Sequence, residues 1–181
     1  MTERSQWVMD TSTYTHICRA GHADIIEKLA PGGVVLIPHE VSLEIERGRE
    51  NYPGIPAVSA TCWADVAVLT EAEWDTLVEV KARMGGGPRQ HIGESAVIAC
   101  AYRRGLTAVL DDQAAVQQAD RLHIASIDTL WIVMEAYKSL FGRSKEQVVA
   151  VVDDLLATGM YLPFGSGEEL IAWAYREGQL P

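Results

Sequence analysis

Residues 107–121 read TAVLDDQAAVQQADR, and the way this stretch divides decides the fold. Thr107 to Leu110 is a short apolar run that ends at Asp111-Asp112, and the residues to about Arg121 then suit a helix. A strand that ends in an acid and passes directly into a helix is the repeating unit of an α/β protein. The same grammar stands upstream. Trp7-Val8-Met9 ends at Asp10, and Ser12 or Thr13 is placed to cap a helix running towards Leu29. Pro31-Gly32-Gly33 breaks the chain, and Val34 to Ile37 reads as a buried strand. Pro38 opens a helix through about Arg49, because its missing N–H falls where no intrahelical bond is due.

Residues 50–56 form a loop, followed by a strand near 64–69 and a helix over 71–84. Gly85-Gly86-Gly87-Pro88 is the most flexible interior point and leads into a helix from about Ile92 to Arg104. One further short strand falls within 122–127, with Asp128 placed to cap the next helix. The tail predicts helices at 129–141, 145–158 and 167–176. The alternation predicts an open α/β fold around a parallel sheet. Its domain organisation is a body over 1–142 and a helical elaboration over 143–181 packed on the same domain.

Composition bounds the function. The 181 residues include 15 Lys and Arg against 25 Asp and Glu, a net charge of −10, and 48% are hydrophobic. That share supports a real core and excludes a disordered tail. The acidity counts against a non-specific nucleic-acid coat, since a phosphate polymer would be repelled at long range. It does not count against a metal-dependent enzyme, whose site is itself acidic. The cysteines, Cys18, Cys62 and Cys100, are odd in number and make neither a CxxC pair nor a zinc knuckle. They point to a reducing, cytoplasmic setting. The opening residues MTERSQWVMD carry no apolar signal-peptide run, and the longest apolar stretch, Ala96 to Tyr102, is far short of a membrane span.

The acids fall where an open α/β fold binds its ligands. Asp10 and Asp111-Asp112 follow strands, while Glu44 and Glu94 lie on helices. In a parallel sheet the carboxyl ends of the strands share one edge, so acids about 100 residues apart can meet there. Glu94 heads an otherwise apolar row through Val97 and Ala101, so its carboxylate either lies at the sheet edge or needs a partner. Carboxylates held together resist ionisation unless cations join them. Oxygen-only ligation suits Mg²⁺ or Mn²⁺, and such ions can activate water against a phosphodiester. Each acid also has a structural reading: Asp after a strand is a common helix cap, and Glu in a first turn complements the helix dipole.

At these residues the sequence resembles the PIN-domain family, especially its small prokaryotic members associated with toxin–antitoxin systems. Four segments bear the likeness: Val8-Met9-Asp10-Thr11-Ser12, Ile37-Pro38 through Glu44-Ile45, Gly93-Glu94-Ser95-Ala96 through Ala101, and Ala108 through Asp111-Asp112. The resemblance implies a three-layer α/β/α sandwich with a mostly parallel sheet plus C-terminal helices. It also implies a Mg²⁺- or Mn²⁺-dependent endoribonuclease, a homodimer, and inhibition by a small antitoxin. Carried over, Asp10, Glu44, Glu94 and the pair Asp111 and Asp112 are metal-site acids, with Asp112 favoured over Asp111 as the fourth catalytic one. Ser12 would hydrogen-bond the first carboxylate. Two departures stand out. Gln113-Ala114-Ala115-Val116-Gln117 follows the acid pair where the family branch soon carries Arg, with no positive charge until Arg121, and Asp128 stands where it often has Gly. Phosphate contacts then fall to Arg83 and Arg89, which flank the Gly-rich loop.

Other classes keep a place beside this reading. The same fold without catalysis would be an interaction module, which the missing Arg residues and the net −10 favour. A nuclease acting on structured DNA would use the same acids. Phosphoryl transfer through Asp10 is the weakest alternative, because Asp10-Thr11-Ser12 lacks the second Asp of a DxD motif. His39 and His91 stand near acids without a known ligand spacing, and Cys100 reads as core.

Overall fold

The computed structural model describes residues 5–179. Residues 1–4 of the expected body and 180–181 of the expected elaboration lie outside the described residues. Five strands form one parallel sheet: β1 (Trp7–Met9), β2 (Val35–Pro38), β3 (Ala64–Ala67), β4 (Thr107–Val109) and β5 (Ser126–Ile127), in the order β3-β2-β1-β4-β5. Helices α1 (Thr11–Arg19), α2 (Ala23–Leu29), α3 (His39–Asn51), α4 (Glu71–Met84), α5 (Ile92–Arg104), α6 (Gln113–Arg121), α7 (Thr129–Ser139), α8 (Lys145–Ala157) and α9 (Gly167–Arg176) flank it as a PIN-like α/β/α sandwich. Strands this short depend on burial for their stability, and Trp7, Val8 and Met9 are all buried.

The chain builds outward from β1 to β2 and β3, then returns to the other side of β1 as β4 and β5. That reversal is the topological switch point, and the crevice at its carboxyl edge is where open α/β sheets bind ligands. β1 and β4 run in register, with Met9 opposite Val109, so the residues that follow each strand emerge side by side. The Asp10 N–H bonds to the Val109 carbonyl at 3.3 Å.

α5 is the hub of one layer. It packs against β1, β2 and β4, and against α3, α4 and α6. Gly93 and Ser95 through Ala101 are buried, and small residues over most of that run let neighbouring helices approach on several sides. α4 is pinned to it by ion pairing. Buried Glu73 closes a capping box with Thr70 and also accepts from Arg104 Nε and Nη2. Arg104 Nη2 in turn donates to the Val68 carbonyl at 3.0 Å. Arg104 therefore joins the C-terminus of α5 to the N-terminus of α4.

The alternation expected from sequence is present, with local differences. The single helix expected to Leu29 is two, because Gly21 turns the chain at φ 80° between Arg19 and Ala23, a conformation open to glycine at little cost. The cap of α1 is Asp10 rather than Ser12 or Thr13. β3 is shorter than expected, and β5 takes the last two residues of the 122–127 stretch, after a turn at 122–123. α8 and α9 pack on one another, α8 also meets α7 and α1, and their apolar residues join the same core as the sheet. Cys18, Cys62 and Cys100 are free thiols, and Cys100 is fully buried, as its helix position suggests. Among the described residues no helix is long and apolar enough to cross a membrane.

Candidate metal centre at the sheet switch point

Asp10 leaves β1 and caps α1, its Oδ1 accepting from the Thr13 N–H at 2.9 Å. Only 3% of it is exposed. Burial, the charge of Asp111 and, more weakly, that of Glu94 push its carboxyl up to about 8 from an ordinary 3.8, against the lowering effect of the Thr13 bonds. Acids from β1, β4 and α5 therefore share one electrostatic neighbourhood although they span residues 10 to 111.

Asp111 is held on all sides by hydroxyls and an amide. Its Oδ2 accepts from Thr13 Oγ1 at 2.9 Å and Thr129 Oγ1 at 2.8 Å, and its Oδ1 from the Thr129 N–H at 2.9 Å. Thr13 and Thr129 are fully buried, so this orientation is locked by groups that cannot turn to water. Asp112 has a different task. Its Oδ1 accepts from the Ala115 N–H at 2.9 Å and caps α6. Of the two adjacent acids, the one whose charge acts on Asp10 is Asp111, whereas the sequence favoured Asp112. The reason is the turn: the residue after Leu110 still follows the strand, and the next begins the helix.

Glu44 lies on α3. Thr11 Oγ1 donates to its Oε2 at 2.7 Å, and Thr11 directly follows Asp10. Its other neighbour is Gly93: a Cβ placed there would lie 2.6 Å from Glu44 Oε2. A side chain at 93 would occupy the space the carboxylate uses, which gives the Gly of the Gly93-Glu94 pair a physical reason. The Gly93→Ala protein should keep its fold, since the displaced atom ends a flexible side chain, yet lose roughly tenfold in Mn²⁺ affinity by calorimetric titration. Unchanged affinity would show that Glu44 contributes nothing to ion binding.

Glu94, half-buried in the first turn of α5, lies with its Oε1 3.7 Å from His91 Nδ1. Ser12, expected to hold Asp10, makes no hydrogen bond to it among those present; Thr13 does. Asp128 caps α7 through the Trp131 N–H at 2.7 Å. Arg83 and Arg89 are exposed, with Arg83 Nη2 4.0 Å from Glu79 Oε2. The loop between them is closed by Gln90, whose Oε1 accepts from the Gly87 N–H at 2.7 Å.

The threonines were given no role in the site from sequence. Thr13 read as a candidate helix cap, and Thr129 lies 18 residues past the acid it holds.

Among the described residues, no group of three or more His, Cys, Asp or Glu side chains stands close enough to grip one metal ion. Thr13 bonds both Asp10 and Asp111, while Thr11 bonds Glu44. Oxygen donors of this kind suit a hard divalent cation. Asp10, Glu44, Glu94 and Asp111 offer oxygen alone. The charges acting on buried Asp10 are those of carboxylates, with no cation among them.

A parallel sheet with converging acids at its switch point defines an open α/β protein with an acidic ligand edge. A sequence profile described as a PIN domain matches residues 6–174. The chain belongs to the PIN-domain family. No curated protein matches it. Among solved structures, PAE2754 from Pyrobaculum aerophilum is similar at a TM-score of 0.50 and 16% identity, covering 71% of this chain and 93% of that one. At that identity the likeness is one of fold.

Proposed function

We propose that this protein is a divalent-metal-dependent endoribonuclease of the PIN type, with Mg²⁺ or Mn²⁺ held by Asp10, Glu44, Glu94 and Asp111. The observation that supports it is the buried Asp10, held near 8 by burial and by the charges of Asp111 and Glu94 at the carboxyl edge of the sheet. An ion bound there supplies an activated water and neutralises charge on the phosphodiester. The chain's own part is positioning. Thr11 orients Glu44, Thr13 and Thr129 fix Asp111, and Thr13 aims the Asp10 carboxylate. Asp112 caps the start of α6 through Oδ1 and keeps its second oxygen as a further candidate for the ion. Arg89 and Arg83, exposed beside α5, contact substrate phosphates and offset the acidity of the whole. The biological setting that goes with this reading is a homodimer in the cytoplasm, inhibited by a small antitoxin.

The test is cleavage of single-stranded RNA with Mn²⁺, with structured DNA as a parallel substrate. Wild-type protein should cut RNA, Glu94→Gln should be inactive at unchanged thermal stability, and Arg89→Glu should weaken RNA binding several-fold. Full activity of Glu94→Gln, or activity that survives EDTA, would defeat the reading. A second reading, an interaction module that does not cleave, draws on the lack of a three-donor grip among the described residues and on Gln113 and Gln117 after the acid pair. Mn²⁺ titration separates the two, because only the nuclease requires stoichiometric binding at the acids.

A further inference from the structure

Between α7 and α9 lies a cavity of about 610 Å³ whose walls include Trp131, Met134, Phe164 and Trp173. That size is usual for small-ligand sites, where apolar and aromatic walls carry a few placed polar groups. Both indoles keep open surface, 40% for Trp131 and 36% for Trp173. Each is braced by a second ring. Trp7 meets Trp131 edge-on with centroids 6.1 Å apart, and Phe164 tilts against Trp173 at 5.4 Å. Rings held in this way stack on a planar ligand at little cost in side-chain order. Among the described residues the lining contains one cation, Lys138, and one anion, Asp128. Asp128 ties the cavity to the acidic edge. The next residue, Thr129, donates its N–H to Asp111 Oδ1 at 2.9 Å, and burial and then the charge of Asp111 push the Asp128 carboxyl up. The cavity therefore lies beside the acids of the sheet edge.

We propose that this cavity is a nucleobase subsite, in which a base of single-stranded RNA flanking the cleaved phosphodiester stacks on Trp131 and Trp173 while Lys138 meets its phosphate. The inference rests on the ribonuclease reading above and adds to it where the substrate is gripped. A chain of net charge −10 draws little affinity from the phosphate attraction that carries most non-specific nucleic-acid binding. Stacking on an aromatic ring works without net charge, since every base has a π-face. The cation on the wall and the continuity with the acids favour a nucleotide over an apolar protein segment, which would need neither. Purines, with the larger face, should bind better than uracil.

Fluorescence anisotropy of a labelled octaadenylate RNA, titrated with the full chain in EDTA, reads this subsite without metal or cleavage. Trp131→Leu and Trp173→Leu should each bind roughly tenfold more weakly at unchanged thermal stability, whereas Trp173→Phe should retain most of the affinity. Lys138→Ala should flatten the salt dependence of binding by the share of one phosphate contact. Octauridylate should bind several-fold more weakly than octaadenylate. Equal affinity of wild type and both leucine variants would overturn the inference, as would the absence of RNA binding by wild type. Cleavage with Mn²⁺ that persists in either case would leave the nuclease reading standing. RNA binding that is lost in Trp173→Leu, in a protein that does not cleave, would uphold the base subsite and defeat the nuclease reading.

Discussion

Asp10→Asn should make the metal-free protein more stable at alkaline pH while abolishing metal-dependent cleavage. The native carboxyl is held near 8 by burial and by the charges of Asp111 and Glu94, whereas in the unfolded chain it returns to about 3.8. The folded state therefore binds the proton more tightly than the unfolded state. Stability is highest where both are protonated and falls as pH rises from about 4 to about 8, with the full burden present above that. Asn carries no charge and can still accept the Thr13 N–H as a helix cap, so it removes the burden and keeps the bond. In urea unfolding with EDTA, the advantage of the variant over wild type should grow by roughly 2–4 kcal/mol between pH 5 and pH 9. Saturating Mn²⁺ should raise the wild type and leave Asp10→Asn unmoved, reversing the order. A gap that stays constant with pH would mean that Asp10 is not under the strain described.

The second large effect lies away from the acids. Arg104→Ala should destabilise the fold by roughly 3 kcal/mol, because it leaves the 1% exposed Glu73 carboxylate without its cation. The Arg104 bonds, with those from Thr70, hold Glu73 down at about 2 from an ordinary 4.5. The stabilisation is thus present above about 4.5 and lost as pH falls through about 2. The difference between wild type and variant should shrink across that acid range. Glu73→Leu combined with Arg104→Met should recover most of the loss at neutral pH, since an apolar pair needs no solvation. If Arg104→Ala matched wild type at pH 7, the link between α4 and α5 would have to come from apolar packing alone.

Much of this architecture can be read directly from the chain. Short apolar runs ending in acids, broken by Pro31-Gly32-Gly33 and Gly85-Gly86-Gly87-Pro88, are signals of backbone chemistry that survive any packing. The helices 71–84 and 92–104 stop where expected because Gly85 and Gly105 end them with positive φ. Gly21 was the exception: a lone glycine inside a helical pattern is tolerated as often as it turns, and only tertiary packing decides.

The positions of the acids at strand ends were legible, but their individual contacts were not. Asp111 and Asp112 are adjacent, and which of them turns inward depends on whether the strand ends one residue earlier or later, a boundary no pattern resolves. Thr129 could not be paired with Asp111 from sequence, since the contact exists only because β4 and β5 lie side by side. Glu73 and Arg104 hide for the same reason. Thr70 and Glu73 spell a capping box, but nothing in their neighbourhood names the arginine 31 residues on. Long-range hydrogen bonds are products of topology, and topology is where the reading of a single sequence stops.

Acids from β1, α3, α5 and the end of β4 are proposed to hold one ion jointly, and anomalous scattering from crystals grown with Mn²⁺ tests this most directly. A peak is expected at the carboxyl edge of β1 and β4, in contact with Asp10, Glu44, Glu94 and Asp111 and absent from crystals of Asp10→Asn. A peak bound elsewhere, or no peak at saturating Mn²⁺, would contradict it.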